Sequence, residues 1–190
     1  MKLYGTIASP FTRRVRIVAA ELGEPIEWVD TSVEAGQAAL RELSPIRKVP
    51  VAVLDGRTLF DSRVIVEWLT TTRGHGGLTP PRDRWHERNI VNAVDEALGS
   101  LIQLFYLRRD GIAIDGNAFA ERQLGRVEAI LAWLPGQLTG GFGLAEVSVI
   151  CALDWMDFRQ TYPTERAAGL GATRDAWRDR PSVAETRPHM

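Results

Sequence analysis

The strongest constraint on the fold is an alternation of strand-like and helix-like segments that fills the first 72 residues and then stops. Residues 2–6 read as a short strand. Residues 10–22 carry Phe11, Val15, Val18, Ala19 and Leu22 at helical spacing, with Gly23 as the stop. Residues 27–30 make a second strand, and 35–43 a short helix centred on Ala38, Ala39 and Leu40. Two further strands, 51–54 and 58–60, join through Asp55-Gly56, a dipeptide suited to a tight hairpin. Residues 62–72 return to helix, with Val64, Ile65, Trp68 and Leu69 on one stripe. The order is βαβαββα, parallel at its start and antiparallel at its finish.

Residues 73–82 break this pattern, since Gly74, Gly76, Gly77, Pro80 and Pro81 make a linker. No strand pattern follows. Residues 82–109 form a long helix carrying Trp85, Ile90, Val94, Leu98, Leu101, Ile102 and Phe105. Residues 117–134 form another, and 144–159 is the most apolar helix and the expected centre of this half. The stretch 163–190 reads as short helices broken by Gly169, Gly171 and Pro181. The fold class is therefore α/β plus all-α: a thioredoxin-like domain over 1–73, then a helical bundle over 82–190.

Charge and cysteine content narrow the function classes. Twenty-three basic against 24 acidic residues give a net charge of −1, which supplies no pull toward nucleic acid or a membrane surface. The apolar runs fall short of the ~20 residues of a spanning helix. The N-terminus enters a strand at once, without the apolar core of a secretory signal, so a cytoplasmic location is expected. A single cysteine, Cys151, leaves no intramolecular disulfide and no cysteine-based zinc site. It lies mid-helix among Val149, Ile150, Ala152 and Leu153, as an inert core residue does. His75, His86 and His189 are scattered over a linker, a helix start and the tail, and form neither a metal cluster nor a triad.

Three small polar and proline signals sit where one element hands over to the next: Ser9-Pro10, Val49-Pro50 and Asp61-Ser62. All three are expected at one end of the sheet, where such folds build their sites. In this order and spacing they resemble a glutathione-binding site. The chain is similar to the cytosolic glutathione S-transferases, bacterial serine-type members. Ala8-Ser9-Pro10-Phe11-Thr12-Arg13-Arg14-Val15 resembles their N-terminal segment, Ser44-Pro45-Ile46-Arg47-Lys48-Val49-Pro50 their cis-proline loop, and Phe60-Asp61-Ser62 their acidic-residue–serine pair. Leu144-Ala145-Glu146-Val147 to Asp157-Phe158-Arg159 resembles their buried helix, and Arg180-Pro181-Ser182-Val183 their closing segment. The resemblance implies a cytoplasmic homodimer serving detoxification, with glutathione as co-substrate and no permanently bound cofactor or metal.

Each candidate residue has a chemical and a structural reading. A thiol of pKa ~8.5 is mostly protonated at neutral pH, and lowering it by two units takes roughly 2.7 kcal/mol. Ser9, just ahead of the helix opened by Pro10, is placed to donate to the sulfur; Ser followed by Pro is equally common helix punctuation. Thr6 and Tyr4 are backup hydroxyls, Tyr4 the more buried. By resemblance, Val49 holds the cysteinyl part of glutathione through its backbone, the alternative being a proline that opens an edge strand. Ser62 then binds the γ-glutamyl carboxylate at a helix start, and Asp61 contacts the amino group; helix capping by Asp61 explains the pair as well. Lys48 adds a cation, and Phe11 completes the set. The second substrate, a hydrophobic electrophile, is expected against Phe11 and the long helix carrying Asp95, Gly99, Ile102 and Tyr106.

Several positions depart from the family pattern. Arg47 stands where relatives often have glycine, Arg63 brings a bulky cation beside the γ-glutamyl site, and Gly143 replaces a Ser or Thr cap. Glu146 is expected to cap in its place, with Phe142 and Val147 as the hydrophobic staple. Arg13, Arg14 and Arg16 read as a wet helix face, Arg13 being a weak site candidate. Trp68, Trp85, Trp133, Trp155 and Trp177 read as packing residues. The expected function is conjugation of glutathione to an apolar electrophile, with Ser9 holding the thiolate. The alternative is a non-catalytic glutathione-transferase-like regulatory or assembly protein. A thioredoxin-like redox role is a weaker third reading, opposed by the lack of a cysteine near Ser9.

Overall fold

The computed structural model describes residues 1–167 and 169–189; Ala168 and Met190, which fall in the expected closing run of short helices, lie outside the described residues. Two compact units are formed, Met1–Pro80 with Arg178–Met190, and Pro81–Trp177. In the first unit β1 (Lys2–Gly5), α1 (Pro10–Glu21), β2 (Glu27–Asp30), α2 (Glu34–Leu43), β3 (Val51–Leu54), β4 (Arg57–Leu59) and α3 (Ser62–Arg73) follow the expected order. Ends shift by a residue: β1 stops at Gly5 and β4 at Leu59, positions where terminal pairing frays.

The strands form one sheet in the order β2-β1-β3-β4. β1 runs parallel to β2, with Leu3 opposite Trp28, and antiparallel to β3, with Tyr4 opposite Val51. β3 and β4 close as a hairpin with Leu54 opposite Arg57. Its two turn residues, Asp55 and Gly56, sit at φ 48° and 72°, as a tight right-twisted hairpin requires. The pleat divides the core. Tyr4 and Val51 cluster with Leu40 of α2, while Leu3 and Ala52, one residue out of phase, are buried on the opposite face. α1 packs against α3.

The second unit contains α4 (Arg84–Arg109), α5 (Ala118–Trp133), α6 (Leu144–Arg159) and α7 (Leu170–Trp177). α6 is buried along most of its length, with Val147, Val149, Ile150, Leu153 and Met156 out of solvent, and Cys151 among them. α4 has the length and composition of a spanning helix, yet its stripe of Val91, Val94, Leu98 and Leu101 is buried where α5 and α6 pack. The start of α6 is capped by two carboxylates. Glu146 accepts the N–H groups of Gly143 and Thr139, at 3.2 and 3.1 Å, as the sequence leads one to expect. Glu87 of α4 accepts Leu144 N–H at 3.2 Å, supplying the oxygen that Gly143 lacks. Trp155 and Trp177 pack inward, Trp177 against Phe142 at 5.1 Å between ring centroids. Trp85 and Trp133 do not: they are 67% and 41% exposed. Trp85 lies under the guanidinium groups of Arg84 and Arg88, which shield its faces without burying it.

Two sequence expectations are corrected in the last segment. Residues after 177, placed by sequence with the helical half, return to the first unit, where α8 (Pro181–Ala184) packs on α1. The cause is the arginine face. Arg13 is 2% exposed and donates from Nε to Thr186 Oγ1 at 3.3 Å and from Nη2 to the Val183 carbonyl at 3.1 Å. Arg14 is fully buried, and Arg16 stands half-buried over the Trp28 ring at 5.6 Å. These arginines are not a wet face: Arg13 and Arg14 are buried against carbonyl and hydroxyl acceptors, and Arg16 packs on a ring. Farther along α1, Glu21 accepts Arg180 Nε at 2.7 Å and Nη2 at 2.6 Å, together with the Ser182 hydroxyl.

Candidate functional site

Strand register decides where the candidate residues go. β1 ends at Gly5, β3 begins at Val51 antiparallel to it, and β4 ends at Leu59 opposite Ala52. The segments holding Ser9, Val49-Pro50 and Asp61-Ser62 therefore all leave the same end of the sheet. Gly5 itself is fixed by packing, since a Cβ there would lie 2.4 Å from the Thr12 side chain.

Ser9 is extended (φ −77°, ψ 123°) and caps α1, its hydroxyl accepting Thr12 N–H at 3.2 Å. That bond uses a lone pair and leaves the hydroxyl proton to be donated elsewhere, so capping and thiolate stabilisation are compatible. Tyr4 is buried in its strand. Phe11 is half-buried, with the Arg14 guanidinium 5.7 Å from its ring centroid. The Val49-Pro50 peptide bond is cis, and Phe60-Asp61 is cis as well. Pro50 is buried, Val49 half-buried and Lys48 exposed. Arg47 takes φ 55°, so the loop does adopt at this point the left-handed conformation that glycine serves best.

At the start of α3, Asp61 caps the helix by accepting Arg63 N–H at 2.9 Å. The Arg63 side chain closes back on it, Nη2 to Oδ2 at 3.0 Å. Burial pushes the Asp61 carboxyl up, but the Arg63 side chain and backbone N–H outweigh it and hold the group below its ordinary value. Ser62 is only 2% exposed and accepts a hydrogen bond from Arg14 Nη1 at 3.2 Å. The buried Arg14 is the residue that sequence reasoning missed. Its signal was present: Arg14 falls three and four residues before Ile17 and Val18, on the buried stripe of α1.

The remaining candidates lie in the second unit. Asp95, Gly99, Ile102 and Tyr106 follow one another along α4 at intervals of four, three and four residues, and so share a stripe. Asp95, Gly99 and Ile102 are half-buried and Tyr106 is 49% exposed, in contrast to the closed stripe of Val94, Leu98 and Leu101.

Comparison with known proteins matches the fold. Residues 3–77 match the family model described as glutathione S-transferase, N-terminal domain. Glutathione S-transferase U6 of Arabidopsis thaliana is 37% identical over 101 residues, 52% of this chain and 45% of the plant protein. The chain thus spans less than half of that relative's length. A glutathione S-transferase from Methylobacillus flagellatus KT, solved with GSH bound, is 27% identical with a TM-score of 0.82, over 99% of both chains. A glutathione transferase family member from Pseudomonas fluorescens Pf-5, solved with bound glutathione, is 27% identical with a TM-score of 0.83, over 100% of this chain and 99% of that one. A thioredoxin-like unit with a cis-proline loop, followed by a helical region, defines the glutathione-transferase fold class. Residues 3–77 match the N-terminal domain of the glutathione S-transferases, and the chain as a whole is similar to members of that family.

Proposed function

We propose that this protein is a glutathione transferase in which Ser9 stabilises the thiolate and an apolar electrophile accepts the sulfur. The observation that carries this is the shared sheet end of Ser9, the cis Val49-Pro50 bond and the Arg14-backed Ser62. Glutathione enters as a thiol with two carboxylates and an ammonium. Val49 offers backbone hydrogen-bonding groups to its cysteinyl part. Ser62 and the N–H groups at the start of α3 take the γ-glutamyl carboxylate, and Lys48 faces a second carboxylate. Phe11 lines the sulfur's side of the site.

The glutathione thiol loses its proton to solvent. The Ser9 hydroxyl donates a hydrogen bond to the thiolate sulfur while its lone pair stays on Thr12 N–H, and the positive end of α1 adds to the stabilisation. The thiolate then attacks an electrophilic carbon, and the leaving group departs with its electron pair. The half-exposed stripe of α4, with Gly99, Ile102 and Tyr106, is the apolar surface offered to the electrophile, and Asp95 is its charged member. A second copy of the chain is the expected macromolecular partner, in a cytoplasmic homodimer.

The test is calorimetric titration with reduced glutathione beside Ser9→Ala. Saturable binding by both, with the bound thiol's pKa lowered only in the wild type, supports this reading. No saturation up to millimolar glutathione overturns it and leaves a transferase fold used as an interaction module.

A further inference from the structure

Asp61 and Arg63 are tied to each other twice. The carboxylate accepts Arg63 N–H at 2.9 Å, and the guanidinium closes back with Nη2 to Oδ2 at 3.0 Å and Nε to Oδ1 at 3.5 Å. Both side chains are about half exposed, 52% for Arg63 and 47% for Asp61, so a ligand can compete for the pair. One residue along the chain, Ser62 is buried and held by the buried Arg14. This corner of the unit is rich in donors and positive charge, and the Asp61 carboxylate within it already carries a cation.

A γ-glutamyl group brings a carboxylate and an ammonium side by side. The carboxylate meets helix N–H groups and the Ser62 hydroxyl, with a guanidinium behind. The ammonium meets a carboxylate already matched to Arg63, and a like charge next to it. We propose that Arg63 sets specificity at this end of the site by competing with the ligand's ammonium for Asp61. The site then selects γ-glutamyl thiols by their α-carboxylate and accepts N-acylated glutathione as well as glutathione. This rests on the glutathione reading above. Arg63 is a positioning residue: it acts through Asp61 and has no part in the chemistry at sulfur.

The experiment measures dissociation constants of glutathione and N-acetylglutathione by calorimetry. The proteins are the wild type, Arg63→Gln, Arg63→Lys, Asp61→Asn and the Asp61→Asn/Arg63→Gln double variant. In the wild type the two thiols bind within about threefold of each other, the scale of an exposed ion pair. Arg63→Gln tightens glutathione about threefold or more and leaves N-acetylglutathione unchanged, while Arg63→Lys keeps the wild-type ratio. In the Asp61→Asn background, where asparagine still caps the helix, Arg63→Gln has no effect on the ratio. A ratio unmoved by Arg63→Gln, or moved equally without Asp61, overturns the proposal and leaves the glutathione site standing. Failure of both thiols to saturate any of these proteins overturns the glutathione reading and this inference together.

Discussion

The Arg14 guanidinium donates from Nη1 to Ser62 Oγ at 3.2 Å, with both side chains out of solvent. The bond joins the middle of α1 to the first residue of α3. By occupying the acceptor side of the hydroxyl, it leaves the Ser62 proton available to donate, as the proposed carboxylate contact requires. Arg14→Met keeps most of the volume and removes the donor. It is expected to lower stability by about 1–3 kcal/mol, because Ser62 loses its buried partner. Glutathione affinity should fall about tenfold as the carboxylate loses its nearby cation. Urea denaturation and calorimetry measure the two effects.

Substitution separates the helix cap that Ser9 makes from the thiolate role proposed for it. Glycine is a fair helix cap and alanine a poor one, but neither carries a hydroxyl. Ser9→Gly should cost only a few tenths of a kcal/mol in stability, and Ser9→Ala about 1 kcal/mol. Both should return the bound thiol toward its free pKa of ~8.5, a loss of roughly 2.7 kcal/mol of thiolate stabilisation if two units are recovered. Thiolate absorbance against pH reads the second effect. Equal, normal thiol titration in all three proteins would reduce Ser9 to a cap.

The Glu21–Arg180 pair makes the closing segment acid-sensitive. The Arg180 hydrogen bonds hold the Glu21 carboxyl below its ordinary 4.5, against the opposing effect of burial and with help from Ser182. A folded value below the unfolded one means that the unfolded chain binds more protons in that interval. The contribution is full above pH 4.5 and is lost as pH falls through the folded value. Glu21→Gln should flatten the acid limb of the stability profile and cost about 2 kcal/mol at neutral pH. Urea midpoints across the acid range decide it.

Glu87 has the opposite sign. Burial raises its carboxyl above 4.5 and Glu146 adds repulsion, outweighing the N–H groups of Leu144 and Ala145. The folded state therefore binds more protons, and stability falls as pH rises from 4.5 through the folded value. Glu87→Gln keeps the acceptor for Leu144 N–H and removes the charge. It should match the wild type below pH 4.5 and exceed it at neutral pH. A lower midpoint at neutral pH would mean that the ionised oxygen is worth more to the cap than its desolvation costs.

Arg47 holds φ 55° with an exposed side chain. A non-glycine residue there costs about 1–2 kcal/mol in the fold, partly offset by glycine's greater freedom in the unfolded chain. Arg47→Gly should raise stability by about 0.5–1 kcal/mol. Thermal unfolding measures it.

The alternating first unit was legible because its signals are local. Apolar spacing along 10–22 marks α1, and Asp55-Gly56 marks a turn that only positive φ can close. Ser9, Val49-Pro50 and Asp61-Ser62 were legible as handover points, and sheet register then brings them to one end. What sequence hid was long-range. Arg13 and Arg14 look like solvated charges until Val183, Thr186 and Ser62, residues distant in the chain, supply their partners. Trp85 failed the other way: its helical spacing suggests packing, but the arginines at 84 and 88 keep it at the surface. The Glu87 cap was hidden too, since nothing near Gly143 announces an oxygen from another helix.

The attachment of α8 to α1 through Arg13 and Glu21 also sets an order of events during synthesis. The unit that leaves the ribosome first is the one completed last, because two of its fasteners are encoded about 160 and 170 residues downstream of the helix they hold. A nascent chain halted before Arg180 would carry a sheet with α1 still unclasped, its buried guanidinium and carboxylate facing water. Loss of Arg180 and the residues after it would therefore unclasp α1, the helix that Ser9 caps, although Ser9 itself lies far from them in the chain.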